Sequence, residues 1–159
     1  MSDCGGTLNP ISELTARNPQ RHLGHTAPMD DPAARPCAHV RAGDLRPADP
    51  TPGMTRRVGL EVDGMWSGVV DTEAHAESGW HHHGDHETTL YVVRGRMRLE
   101  SGPGGRDVVT ASAGDFLHVP AHAVHRETNP DDGPAQAVIV RCGRGAPTTN
   151  VQGPAAGPG

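Results

Sequence analysis

Aromatic side chains are scarce in this chain. Two tryptophans, one tyrosine and one phenylalanine make up 3% of its 159 residues, and apolar residues of all kinds reach only 34%. A core running the whole length is excluded, because polar, proline-rich segments bury too little surface to offset their ordering entropy. Lysine is absent, so all 14 basic side chains are arginines, and the net charge is −5. That balance argues against a protein held to nucleic acid by phosphate contacts. No apolar run approaches the ~18 residues of a membrane-spanning helix, so no integral membrane protein is expected. Cysteine is limited to Cys4, Cys37 and Cys142. An odd set without a CxxC pair makes neither a disulfide framework nor a cysteine zinc site, and reads as free thiols in a reducing compartment. The opening MSDCGGTLNP has no basic or apolar leader region, so a cytoplasmic protein is expected.

Glycine (21), proline (15) and histidine (11) are abundant instead. Residues 1–52 hold Pro10, Pro19, Pro28, Pro32, Pro36, Pro47, Pro50 and Pro52 and little apolar periodicity. They read as an irregular, flexible arm, with one helical turn near Ser12–Ala16. Residues 143–159 have the same texture and read as a flexible tail. Between them, in 53–142, lie short β-branched runs such as VGLEV, LYVV, FLHV and QAVIVR, separated by turn sequences such as VDGM, SGPGGRD and NPDDGP. Many short strands without helical periodicity predict an all-β sandwich or barrel. A core of that size is marginal alone, so a homodimer is expected.

The segment Trp80-His81-His82-His83-Gly84-Asp85-His86-Glu87 carries the chemistry. In a strand, His81 and His83 project to one face and His82 to the other. Two imidazoles a few ångströms apart suit adjacent positions on one metal ion. Past the Gly84-Asp85 break, His86 or Glu87 supplies a candidate further ligand. His125 follows a strand and the Pro120 turn, and a barrel can bring it beside the first pair. Imidazole suits Fe, Mn, Ni, Cu and Zn, and three histidines with one carboxylate leave positions open for substrate.

These residues resemble the cupin family. Its second motif, G-x5-P-x-G-x2-H-x3-N, is matched by Gly114, Pro120, His125 and Asn129, with His122 in place of the glycine after the proline. Its first motif, G-x5-H-x-H-x3,4-E-x6-G, is matched by His81, His83 and Gly95. Its first glycine falls at His75, and its glutamate falls at Glu87 or Thr88 according to spacing. The resemblance covers about residues 55–142 and implies a double-stranded β-helix, a jelly-roll barrel. It implies a metal site of His81, His83 and His125, completed by Glu87, by His86 or by neither. The expected metal is Fe2+, with Zn2+, Mn2+ or Ni2+ as alternatives.

The expected function is a metal-dependent enzyme acting on a small polar metabolite: a dioxygenase, or an isomerase or lyase, with natural-product tailoring as one setting. The alternative is a non-catalytic cupin that binds a small ligand or a partner protein. His118, two residues from Phe116, is the candidate proton-transfer group. His82 and His122 read as solvated, and Asp115 as a turn residue. Arg94, Arg96 and Arg98 form one row, read as a charged solvent face over an anion site. Tyr91 and Trp80 read as core or dimer contacts. A second metal site among His22, His25, His39 and Cys37 is a remote alternative.

Overall fold

The computed structural model describes residues 36–156. From His39 onward the chain forms one folding unit. Its strands are β1 (Arg46–Pro47), β2 (Met54–Val62), β3 (Met65–Thr72), β4 (His81–His82), β5 (Glu87–Arg94), β6 (Arg96–Ser101), β7 (Asp107–Ser112), β8 (Phe116–Val119), β9 (His125–Thr128), β10 (Ala135–Cys142) and β11 (Thr149–Asn150). The order is β1-β2-β3-β10-β5-β8 in one sheet and β11-β4-β9-β6-β7 in the other. This is the expected all-β architecture, a double-stranded β-helix of two antiparallel sheets.

Strands β5, β8, β9 and β10 follow the alternation written in their sequences. In β5, Thr88, Leu90 and Val92 are buried while Glu87, Thr89 and Tyr91 are exposed. In β10, Ala135, Ala137, Ile139 and Arg141 are buried. The apolar core includes Val70, Leu90, Val92, Met97 and Ile139, each with no exposed surface. Shortening Ile139 to alanine would cost about 2–5 kcal/mol by lost burial and the cavity left behind.

Two turns show why glycine stands where it does. The β2–β3 hairpin closes through Asp63-Gly64, with Val62 paired to Met65 and Gly64 at φ +76°. Gly95, between β5 and β6, has φ +70°, and a Cβ there would lie 2.9 Å from the Ala135 backbone. Only glycine fits that crossing between sheets.

The domain borders differ from the expected ones. A 3-10 turn at Ala42–Asp44 and strand β1 already belong to this unit, although they lie in the expected arm. The expected C-terminal tail contributes β11, whose Thr149 and Asn150 pair with His82 and His81. Beyond it, the Val151 N–H donates to the Trp80 carbonyl (3.0 Å) and the Gly104 N–H to the Ala155 carbonyl (3.0 Å). The physical reason is the two-residue strand β4, whose free edge leaves backbone groups in need of partners. The helical turn expected at 12–16, with His22 and His25, lies outside the described residues.

Candidate metal centre

Strands β4 and β9 are neighbours, and their register sets His81 directly opposite His125. His83 follows β4 on the same face. The ring centroids of the three histidines lie 4.3 to 5.2 Å apart. Two residues past His125, on the same face of β9, stands Glu127. Ligand atoms of His81, His83, His125 and Glu127 all lie within 4.8 Å of one another, and all four residues are buried.

The outer ring nitrogens fix how these imidazoles present themselves. His81 Nδ1–H donates to the Gly79 carbonyl (2.9 Å), and His125 Nδ1–H to the Ala123 carbonyl (2.8 Å). A neutral imidazole that donates from Nδ1 keeps a lone pair on Nε2. His83 follows the same pattern. Arg141 Nη2–H donates to His83 Nε2 (3.2 Å), so the Nδ1–H of His83 donates to Thr88 Oγ1 (2.7 Å). Three Nε2 lone pairs therefore converge. Burial pushes His83 down to about 2, with the Arg141 charge and the other imidazoles adding to the effect. Burial likewise pushes His125 below the ordinary histidine range. Burial alone would raise the Glu127 carboxyl, but Arg56, at 3.4 Å, and the more distant Arg141 charge hold it below its usual range.

A divalent metal fits this set on an observation independent of any family. His125 Nε2 is buried and has no hydrogen-bond partner. An orphaned buried acceptor is costly, and a cation at the convergence point would satisfy it. Nitrogen and carboxylate donors with oriented outer nitrogens are the donor chemistry of Fe, Mn, Ni and Zn sites.

The other expected site residues lie elsewhere. Glu87 points outward on β5, where it accepts from His118 Nε2–H (2.6 Å) and from the Ala121 N–H (3.3 Å). Strand parity gives the inward position to Thr88, which orients His83. His86 is buried, but its ring is engaged with the His83 carbonyl at 2.8 Å, outside the four-residue group. His118 does not reach the interior. Leu117 and Val119 take the inward positions of β8, which leaves the His118 side chain 60% exposed.

Glu127 was not singled out from sequence, although the i, i+2 reasoning applied to His81 and His83 also reaches it from His125. Arg141 was missed for a similar reason. It sits at the end of an apolar run and shares the face of Ala137 and Ile139. Arg94 and Arg96 are exposed and Arg98 is half-buried, and each pairs with a carboxylate: Asp71, Asp131 and Glu100 respectively. The Asp115 carboxylate accepts the Ser112 N–H (2.8 Å), as a turn residue does. His39 and Cys37 are exposed, and no second metal group occurs among the described residues.

A family model described as a cupin domain matches residues 68–141. Residues 68–141 thus carry a cupin domain. No curated protein sequence matches it. Among solved structures, it resembles KdgF from Halomonas sp. at 20% identity and a TM-score of 0.59, over 69% of this chain and 96% of that one. An uncharacterized protein with a double-stranded β-helix domain from Klebsiella pneumoniae is 25% identical, with a TM-score of 0.56, over 65% of this chain and 90% of that one. An RmlC-like cupin from Shewanella frigidimarina is 19% identical, also at 0.56, over 68% and 93%. At 20% and 19% identity the Halomonas and Shewanella likenesses establish the fold alone.

The cupin motifs acquire physical meaning here. Asn129 is fully buried and donates to the carbonyls of Glu73 (3.0 Å) and Gly133 (2.8 Å), tying the end of β3 to the turn before β10. The two motif glycines that this cupin lacks fall at His75 and His122. Both are left-handed, at φ +57° and +60°, the only such non-glycine residues described. The backbone conformation persists although the glycine does not.

Proposed function

We propose that this cupin is a metal-dependent enzyme acting on a small polar metabolite inside the barrel. The observation that carries the reading is the convergence of three Nε2 lone pairs, one of them orphaned, beside a buried carboxylate. His81, His83 and His125 would hold the ion, with Glu127 as the carboxylate donor. A bound divalent metal would supply Lewis-acid polarisation of a chelating oxygen, and with Fe2+ it would supply oxygen chemistry. The chain's own residues prepare the site. The Gly79 and Ala123 carbonyls and the Thr88 hydroxyl lock the rings, and Arg56 keeps Glu127 ionised. The buried walls exclude water. Dioxygenase chemistry with Fe2+ is the first reaction class, and isomerase or lyase chemistry with Zn2+, Mn2+ or Ni2+ the second. Exposed Tyr91, Val93, Phe116 and Val138 on the outer face support a homodimer.

Elemental analysis of the purified chain tests the reading. About one transition metal per chain is expected, and His83→Ala and His125→Ala should each remove it while circular dichroism stays β-rich. A metal content unchanged in both variants would overturn the proposal. A non-catalytic binding cupin would keep its metal and turn over no candidate metabolite with or without it.

A further inference from the structure

Arg141 is buried to 7% exposure, yet no carboxylate lies within 4.0 Å of it, and the acidic charge that acts on it, that of Glu127, is already paired with Arg56. Every other described arginine except the exposed Arg106 lies within 4.0 Å of a carboxylate. Burying a guanidinium is costly unless it is paired and hydrogen-bonded, and it stays charged at neutral pH. The compensation visible here is partial. One face of Arg141 lies 5.5 Å from the centroid of the Trp66 ring. One nitrogen, Nη2, donates to His83 Nε2 at 3.2 Å. Another, Nε, is buried with no partner at all. The register explains the placement, since on β10 Arg141 stands between Trp66 of β3 and Thr88 of β5.

The charges of the interior do not balance either. Glu127 and Arg56 form a pair. The three imidazoles turn Nε2 inward and bring no negative charge to offset the guanidinium. Arg141 remains as a net positive charge beside the histidines, and a metal ion would add to it. A small anionic ligand would neutralise this excess and occupy the spare donors. The planar fork of a guanidinium matches the two oxygens of a carboxylate.

We infer that Arg141 anchors a carboxylate of the ligand, so that the barrel takes a small organic acid next to the histidine cluster. This rests on the interior being the ligand site. Arg141 is thus a specificity-determining residue. Its contact with His83 Nε2 has a further consequence: the guanidinium and a metal ion compete for that nitrogen, and a bound carboxylate gives the guanidinium another partner. Acid and metal should therefore bind cooperatively.

The test uses the full chain as purified, with metal content measured on every sample. Lactate and lactamide serve as probes, because they share a shape and differ in charge. Calorimetric titration should show lactate binding at least tenfold tighter than lactamide. In Arg141→Met that preference should vanish while metal content is retained or increased. Arg141→Lys should keep part of it, since the charge remains and the fork is lost. Arg57→Met, at a half-exposed arginine paired with Asp71 at 2.6 Å, should behave as wild type. Equal affinity of wild type for the two probes would overturn the inference, as would undiminished lactate preference in Arg141→Met. Should the methionine variant fail to fold, Arg141→Lys decides in the same way. A chain free of metal that still prefers lactate would defeat the metal-enzyme reading and leave Arg141 in its role.

Discussion

His75 and His122 adopt a backbone conformation that costs an L-residue with a Cβ about 1–2 kcal/mol. Glycine would remove that strain but surrenders about 0.5–1 kcal/mol of chain entropy. The balance favours glycine slightly at His75, whose side chain is exposed and pairs only with Asp132 (2.9 Å). His75→Gly should raise the unfolding midpoint by about 2 °C, whereas glycine at exposed Thr89, in the extended strand β5, should lower it. A drop at His75 as large as at Thr89 would show that the histidine side chain contributes more than its backbone costs. Thr88 poses the converse case, with its hydroxyl buried against His83 Nδ1. Thr88→Val keeps the volume and orphans that N–H, at a cost of about 1–3 kcal/mol. Metal affinity, measured against a competing chelator, should fall about 10- to 100-fold as the ring loses its orientation. An unchanged affinity would mean that packing alone aims the imidazole.

Strand alternation decides most of the site at the scale of elements. The HxH run was readable because its two rings share a face, and the glycine-rich turns marked the strand ends. The fourth ligand was harder to read. Spacing from His83 favours Glu87, but a strand beginning at 87 puts 88 inside, and only the strand's starting point distinguishes the two. The same parity sends His118 outward. Glu127 and Arg141 are polar residues at inward positions, where composition suggests a solvent face, so only their strands' registers reveal them. Strand β11 was illegible because its sequence has no strand character, and its two residues order by covering the edge of β4. Ending the chain at Pro147 should therefore do more than trim a tail. It removes the partners of His81 and His82, and Gly153, which packs so closely on Trp80 that a Cβ there would lie 2.8 Å from its indole nitrogen. The truncated protein should stay β-rich, bind metal at least tenfold more weakly and show red-shifted tryptophan emission. Wild-type metal affinity after truncation would mean that β9 alone positions β4.

Among the described residues, most buried ionisable groups gather in one place, and that makes the stability of the fold depend on pH. In the folded state His83 stays neutral down to about pH 2, held there first by burial and then by Arg141. In the unfolded chain it protonates near its ordinary value of about 6.5. Below that pH the unfolded state binds a proton that the folded state refuses, so stability falls as pH falls. His125 is shifted in the same direction and adds to the loss. Glu127, held below its usual range, adds a further loss only when pH drops through the carboxylate region. Between pH 7 and 5.5 the two histidines together should remove about 1–2.5 kcal/mol, read as a lower urea midpoint at constant slope. A bound metal would steepen this trend, because it too excludes protons from the imidazoles. His83→Gln should flatten the profile by about one proton. Equal stability at the two pH values would show that the imidazole cluster reaches water or protonates within the fold, and the convergence of neutral Nε2 donors would then fail as the basis of the site.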